Sequence, residues 1–424
     1  MLKGVSFWES LISFLVLLIL PISTFSSRGV VPLFFILLVS QCGYLVSRQK
    51  HVHFKNFFKI FKRNHLFIAL GLFLLWSLLS VIWSLDPRQT FQLWIKLLCL
   101  FLAGITMTVL SQDFEAHFKR RLLWSLSLGI IITNSWLLIE IINQGKLIAL
   151  IKGKDFHLTS YNKALSLEVM LIWPIVASCY YFLNTRLDKE FKYLVYIFQF
   201  SFIFQTIIVV LSLDATTVKI AFLIGIIIGA FSLIMNRLMP WLLLSVCVVF
   251  FITSPLIYKE IFTSDRVANI TQNFIKKPSF YHRLHIWHFV SKNILLKPLT
   301  GWGLDASRSK YFSQTILEDE IKKKTPLLNI FELELLPLHP HNFPLQMWLE
   351  LGFPGIILAL YLIGLILISI NKIFKKKYNR AAAYAAFSTS LFVSMGSYGI
   401  WQSWWISGLW LIVIFVRFLE SKDG

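Results

Sequence analysis

The chain reads as an all-α polytopic membrane protein, with about twelve transmembrane helices and one large outward-facing loop between the ninth and the tenth. Three observations carry that reading. Of its 424 residues 57% are hydrophobic and only 15% charged, with 39 Phe and 15 Trp, more apolar surface than a soluble domain of this size could hide from water. Apolar runs of about 18 or more residues recur along the whole length, enough to cross the hydrocarbon layer as helices. Inside that layer each backbone N–H and C=O has to be paired within its own element, so the spans are helical.

The first run, Phe7 to Ser23, has no basic segment before it beyond Lys3 and no small-x-small cleavage site, so it is expected to be a span and not a signal peptide. The following spans are expected at 29–47, 65–84, 91–110, 122–142, 165–184, 193–213, 216–235, 240–258, 343–370, 381–399 and 401–418. The gaps between them alternate in charge. The 48–64 gap holds Arg48, Lys50, Lys55, Lys59, Lys62 and Arg63, the 111–121 gap ends in Lys119, Arg120 and Arg121, and "TRLDKEFK" and "KIFKKKYNR" keep the same parity. The opposite short gaps hold little more than Arg28 and Arg88. Cytoplasmic loops are the ones enriched in Lys and Arg, so both termini are expected in the cytoplasm.

The expected organisation is therefore helices 1–9 over residues 1–258, a polar loop over 259–342, and helices 10–12 with a cytoplasmic C-terminus over 343–424. A loop that long inside a compact protein is usually functional. It carries twelve Lys and Arg against eight Asp and Glu, and this excess suits either an anionic ligand or plain solubility. Cys42, Cys99, Cys179 and Cys247 fall inside spans with no ligand spacing, so neither a disulfide framework nor a zinc site is expected. There is no P-loop, HExxH, GxSxG or DxD stretch, so a nucleotide energy source is not indicated. A substrate acted on at the outer face would arrive already activated.

The densest group of titratable and hydrogen-bonding residues is "LHPHNFPLQMWLELGFPGI", at the mouth of the tenth span. Asn342 is a good N-cap and Pro344 suits the first helical turn, which places His341 just above the helix start. Asn342, Gln346 and Glu350 share one face, and a polar stripe at that depth has to point into the bundle or a wet cavity. A neutral imidazole can accept a proton at ambient pH. The plain alternative for His341 is a structural hydrogen bond.

The second group is "YHRLHIWHFVSKNILLKPLTGWGLDASR". Arg283 and Trp287 lie one helical turn apart on a short amphipathic segment, ahead of Pro298 and a tight Gly-Trp-Gly turn. The Arg fork matches phosphate oxygens, and a Trp plane could hold it; anchoring to the membrane surface is the alternative. His282, His285 and His288 read as interfacial polar residues. Lys219, just inside the eighth span, marks a site by default unless Asp214 pairs with it. Lys163 lies at the outer end of the sixth span and could snorkel to the interface. "ILEDEIKKK" has the i, i+4 charge pairs of a solvated helix.

With these residues in view the chain resembles the O-antigen ligase family of bacterial inner-membrane glycosyltransferases, within the superfamily that also holds O-antigen polymerases. His341-Asn342, nine residues, then Gly352-Phe353-Pro354-Gly355 is similar to the family's HN…GxxG pattern. Arg283, Trp287, Pro298, Gly301 and Gly303 match its R…W…P…GxG segment, and "VIWSLDPRQTFQLWIKLL" its WS-x-DP segment. Lys219 stands where the family usually has Arg, keeping the charge and losing the bidentate fork.

The resemblance implies metal-independent, inverting transfer of a glycan from undecaprenyl pyrophosphate to a lipid A-core hydroxyl, at the periplasmic face of the inner membrane. It implies no cofactor and no nucleic acid. His341 would be the general base, with His339 in reserve. Arg283, Lys219 and Lys163 would bind the pyrophosphate, supported by Asn342, Trp287, Gln346 and Glu350. A polymerase of the same superfamily, with a second lipid-linked glycan as acceptor, is the near alternative. A lipid-linked-sugar transporter is the distant one, because the two halves show no paired repeat.

Overall fold

The computed structural model describes residues 6–48, 65–153, 156–183, 189–235, 237–263, 266–267, 278–314 and 335–420. The charged runs 49–64, 184–188 and 316–324 lie outside them. Among the described residues there are helices and turns and no strand.

Helices α1 (Phe7–Leu17) and α2 (Ile19–Phe25) form the first span; α3 (Val30–Ser47), α4 (His65–Leu79), α5 (Pro87–Leu110) and α6 (Ala116–Ile142) follow. A short helix, α7 (Lys146–Lys152), leads to α8 (Asn162–Leu183), α9 (Lys189–Ser212), α10 (Thr216–Ile234) and α11 (Met239–Ile261). The loop region then supplies α12 (Pro278–Leu296) and α13 (Lys310–Ser313) before α14 (Phe343–Ile373), α15 (Lys377–Gly396) and α16 (Ser403–Arg417).

Ten helices or helix pairs among the described residues are long and apolar enough to cross a membrane. The two expected spans outside that set are α15 and α16. The first is a full-length helix carrying a largely buried face of Ala, Ser and Thr. The second has 15 residues, about 22 Å of helix against a hydrocarbon layer of about 30 Å.

The feature that shapes the site is a break in α14. Gly352 has φ 62° and ψ −161°, a region open essentially to glycine. The backbone freed there is taken up by the Gly-Trp-Gly turn: Trp302 N donates to Leu349 O at 2.8 Å, Gly303 N to Glu350 O at 2.9 Å, and Phe353 N to Pro298 O at 2.9 Å. The GxG and GxxG stretches, about fifty residues apart, thus meet backbone to backbone. A Cβ on Gly352 would lie 2.4 Å from Leu299 O, and one on Gly301 would lie 2.6 Å from the Glu350 carbonyl.

The Trp-Ser-x-Asp-Pro stretch braces this junction from the other side. Asp86 caps α5 by accepting from Gln89 N at 2.9 Å, with Pro87 in the first turn. Thr90 Oγ1 donates to Leu304 O at 2.7 Å, and Gln89 Nε2 to Asp305 Oδ2 at 2.9 Å. Its role is to seat the 301–309 turn.

Candidate active site

Asn342 caps α14 as expected: its Oδ1 accepts from Leu345 N at 3.1 Å, and its Nδ2 donates to Tyr258 Oη at 3.3 Å. This presents His341 one residue ahead of the helix, with φ 54°, left-handed backbone that a non-glycine residue rarely adopts. Only Gln144 and Asp305 share a positive φ among the described non-glycine residues. Strain of this kind persists where surrounding contacts over-determine it, and here they do.

His341 Nδ1 lies 2.5 Å from the Ser397 carbonyl oxygen. A carbonyl only accepts, so Nδ1 carries the proton and Nε2 keeps its lone pair. Arg283 Nη1 donates to the neighbouring Gly396 carbonyl at 2.8 Å. One backbone corner, between α15 and α16, therefore holds both the imidazole and the guanidinium. Burial first, and then the Arg283 charge, lower the His341 pKa to about 4, so the ring is neutral at ambient pH. Burial likewise lowers that of Arg283.

His339 sits beside His341, ring centroids 4.1 Å apart. Its Nδ1 faces His341 N at 3.3 Å and its Nε2 faces Gly399 N at 3.2 Å. Only one of the two nitrogens of a neutral ring has a lone pair to accept with, so one of these contacts is a hydrogen bond and the other a packing contact, and the ring lies between the two loops. Burial, with His341, Arg308, Arg283 and Lys163 as neighbouring positive groups, lowers its pKa to about 2.

The stripe below is buried and stitched by hydrogen bonds. Glu350, fully buried, accepts from Asp305 N and Ser307 Oγ at 2.7 Å, Gln346 Nε2 at 3.0 Å and Trp401 Nε1 at 2.5 Å. Four donors match the lone pairs of one carboxylate. Gln346 Oε1 in turn accepts from Ile400 N at 3.1 Å. Glu350 therefore ties the 301–309 and 397–402 loops to α14, and it is the Ser397 carbonyl that orients His341. Glu350→Gln puts an amide N–H among four donors and should cost about 1–3 kcal/mol of stability, read as a lower Tm of the purified protein.

Trp287 does not stack on Arg283. Its ring packs 5.0 Å from Tyr258, and its Nε1 donates to Pro340 O at 2.9 Å, so it steadies the backbone just before His341. His285, expected at the interface, is buried, 3% exposed. Lys219 Nζ donates to Leu211 O at 2.7 Å, closing the end of α9. One of its three donors is so occupied. Its helix starts against the same corner, where a Cβ on Gly396 would lie 2.9 Å from Thr217 Cγ2. Lys163 is exposed, close enough for its charge to act on His339. Among the described residues no group of three or more His, Cys, Asp or Glu could hold a metal ion.

A family model described as O-antigen ligase matches residues 200–360. A protein of Rickettsia prowazekii with the name "Putative polysaccharide ligase RP358" is 30% identical over 403 residues, 92% of either chain. The chain belongs to the O-antigen ligase family. A Rickettsia typhi protein of the same kind of name is 30% identical over 354 residues, 83% of this chain and 80% of its own, and one from Rickettsia bellii is 26% identical over 355 residues. The family match takes in Lys219, Arg283, Trp287, His341 and Glu350, whereas Lys163 and the Gly396–Ser397 corner lie outside it.

Two parts of the site in this O-antigen ligase family member escaped the motif reading. Arg308 lies 3.6 Å by its Nε from Asp305 Oδ1, and its charge reaches His339. It closes "GWGLDASR", in which the glycines alone carry a motif. The corner itself lies in "MGSYGIWQ", whose Gly396 and Ser397 fall within the span expected at 381–399, whereas the helix ends at Gly396. Two glycines flanking an aromatic beside a span end were the available signal.

Proposed function

We propose that the protein transfers a glycan from a lipid-linked pyrophosphate, undecaprenyl pyrophosphate, onto a sugar hydroxyl of lipid A-core, with inversion and without a metal, at the periplasmic face of the bacterial inner membrane. Both termini then lie in the cytoplasm, and the 259–342 region carries the donor- and acceptor-binding groups. The observation that carries this is the fixed His341 tautomer: with Nδ1–H given to Ser397, Nε2 is left as a proton acceptor beside the Arg283 guanidinium.

In the proposed reaction the acceptor hydroxyl gives its proton to His341 Nε2 as its oxygen bonds to the donor anomeric carbon. The bond from that carbon to the pyrophosphate oxygen breaks on the opposite side, and the carrier leaves as an anion. Arg283, Lys219, Lys163 and Arg308 offset the charge that builds on it. The Ser397 carbonyl supports the imidazolium through Nδ1–H. The O-antigen ligase family model and the ligase names of the relatives support the reaction class.

A pH dependence follows. In the free enzyme the base is lost as pH falls through about 4, so kcat/KM should stay flat from pH 8 to about 5 with no inflection near 6.5. A donor pyrophosphate at Arg283 cancels part of the positive charge that weakens the base. The acid limb of kcat should therefore lie at higher pH than that of kcat/KM. Coincident limbs, or an inflection near 6.5 in both, would remove His341 as the base.

The reading also separates from polymerisation in a cell. Loss of a ligase leaves long glycan unattached to lipid A-core, whereas loss of a polymerase leaves single repeat units on it. Long unattached glycan in a deletion strain, restored to lipid A-core by the native gene, is the expected result.

A further inference from the structure

On the face of α8 turned away from the candidate site lies a second polar group, enclosed by α6 and α9. Asn134 Nδ2 donates to Thr206 Oγ1 at 3.0 Å, and Thr206 Oγ1 donates to Glu168 Oε1 at 3.0 Å. All three residues are 0% exposed, and each lies on a helix apolar enough to cross a membrane. Glu168 is six residues into α8, about 9 Å below its start. No salt bridge to it occurs among the described residues.

What the triad and its neighbour leave over is three oxygen atoms. Glu168 Oε2 and Asn134 Oδ1 are buried with no hydrogen-bond partner, and so is the hydroxyl of the adjacent Thr133. A carboxylate in hydrocarbon with its second oxygen unpaired is costly, and such groups are kept where they bind something. The carboxylate and amide oxygens only accept, and the hydroxyl can turn a lone pair to the same point, a set that suits a hard cation. One carboxylate neutralises one positive charge, so a divalent ion would leave a net charge in the membrane. Farther along the same three helices, Ser127, Ser178 and Cys179 share with Trp124, Phe198 and Phe202 a narrow crevice with room for about one water. Seven residues, about 10 Å of helix, separate it from the triad along α6, from Ser127 to Asn134.

We propose that Glu168, Asn134 and Thr206 form an intramembrane site for a small monovalent cation, with sodium as the ligand. It is independent of the transfer reaction proposed above. It bears on that reaction only through α8, whose Ser166 meets Tyr398 of the active-site corner at 3.1 Å.

The test uses purified full-length protein in sodium-free detergent buffer, with choline chloride holding ionic strength constant. Native protein should bind ²²Na⁺ saturably, displaced by unlabelled NaCl and not by choline. Its Tm should rise by several degrees as sodium replaces choline, and level off. Glu168→Gln should lose both effects, and Thr206→Val should raise the sodium concentration at half-effect by about tenfold or more. If Glu168→Gln does not fold, native binding and Thr206→Val still decide. No saturable ²²Na⁺ binding by native protein, with a Tm indifferent to the exchange, would overturn the site and leave a protonated carboxyl clamping three helices.

Discussion

His341→Ala should lower glycan transfer by about 10²–10⁴-fold in kcat, the usual contribution of a positioned general base, while KM for the lipid-linked donor changes little. The split follows from the geometry. Donor affinity in this account rests on Arg283, which is held by the Gly396 carbonyl and not by the imidazole. Truncating His341 frees the Ser397 carbonyl at the rim of the site, where water can replace the lost bond, so folding should survive. His339→Ala is the informative companion. It removes a ring whose nitrogens face His341 N and Gly399 N, so it should loosen the base and lower kcat by a smaller factor, with an accompanying fall in Tm. An equal loss from the two variants with unchanged Tm would contradict the assignment of the base to His341 alone.

Gly352→Ala should be severely damaging for a single added methyl. The residue sits at φ 62°, ψ −161°, which costs a non-glycine residue about 1–3 kcal/mol. The added Cβ would also stand 2.4 Å from a backbone oxygen, Leu299 O, and backbone cannot swing aside as a flexible side chain can. Overpacking of that kind adds about 1–3 kcal/mol more. The break in α14 and the three backbone hydrogen bonds that fill it would be lost together, taking the 301–309 turn away from Glu350. Little folded protein should be recovered after detergent extraction. Gly71→Ala, where nothing lies within 4 Å of the added carbon, is the control and should behave as native.

These expectations mark where residue identity carries the structure and where it does not. The helical spans, the Asn342 cap and the tight turn at Gly301 and Gly303 were legible because each depends on a side-chain property: apolar length, a short acceptor, or the absence of Cβ. The stripe of Asn342, Gln346 and Glu350 was legible as one face pointing inward. Its partners were not, since three of the donors to Glu350 come from Asp305, Ser307 and Trp401 in loops far along the chain. The corner that holds His341 and Arg283 was invisible for a more basic reason. Its acceptors are main-chain carbonyls of Gly396 and Ser397, which every residue possesses. Trp287 was placed in the right segment with the wrong neighbour, because a helical register fixes which face a ring occupies and leaves open what meets it. The break within α14 was hidden likewise: glycine and proline both occur in continuous transmembrane helices, and only the docked turn makes Gly352 and Pro354 a discontinuity.

In the proposed function this protein forms a glycosidic bond between a lipid-linked glycan and lipid A-core, using its own side chains. That reaction is tested by reconstituting native protein in proteoliposomes with undecaprenyl-pyrophosphate glycan and lipid A-core, with chelator present throughout, and analysing the lipid products by mass. The expected product is lipid A-core carrying the glycan in inverted anomeric linkage, formed at an undiminished rate under chelation and not formed by His341→Ala. Donor chains lengthening on donor, or glycan crossing the bilayer with every glycosidic bond intact, would contradict it.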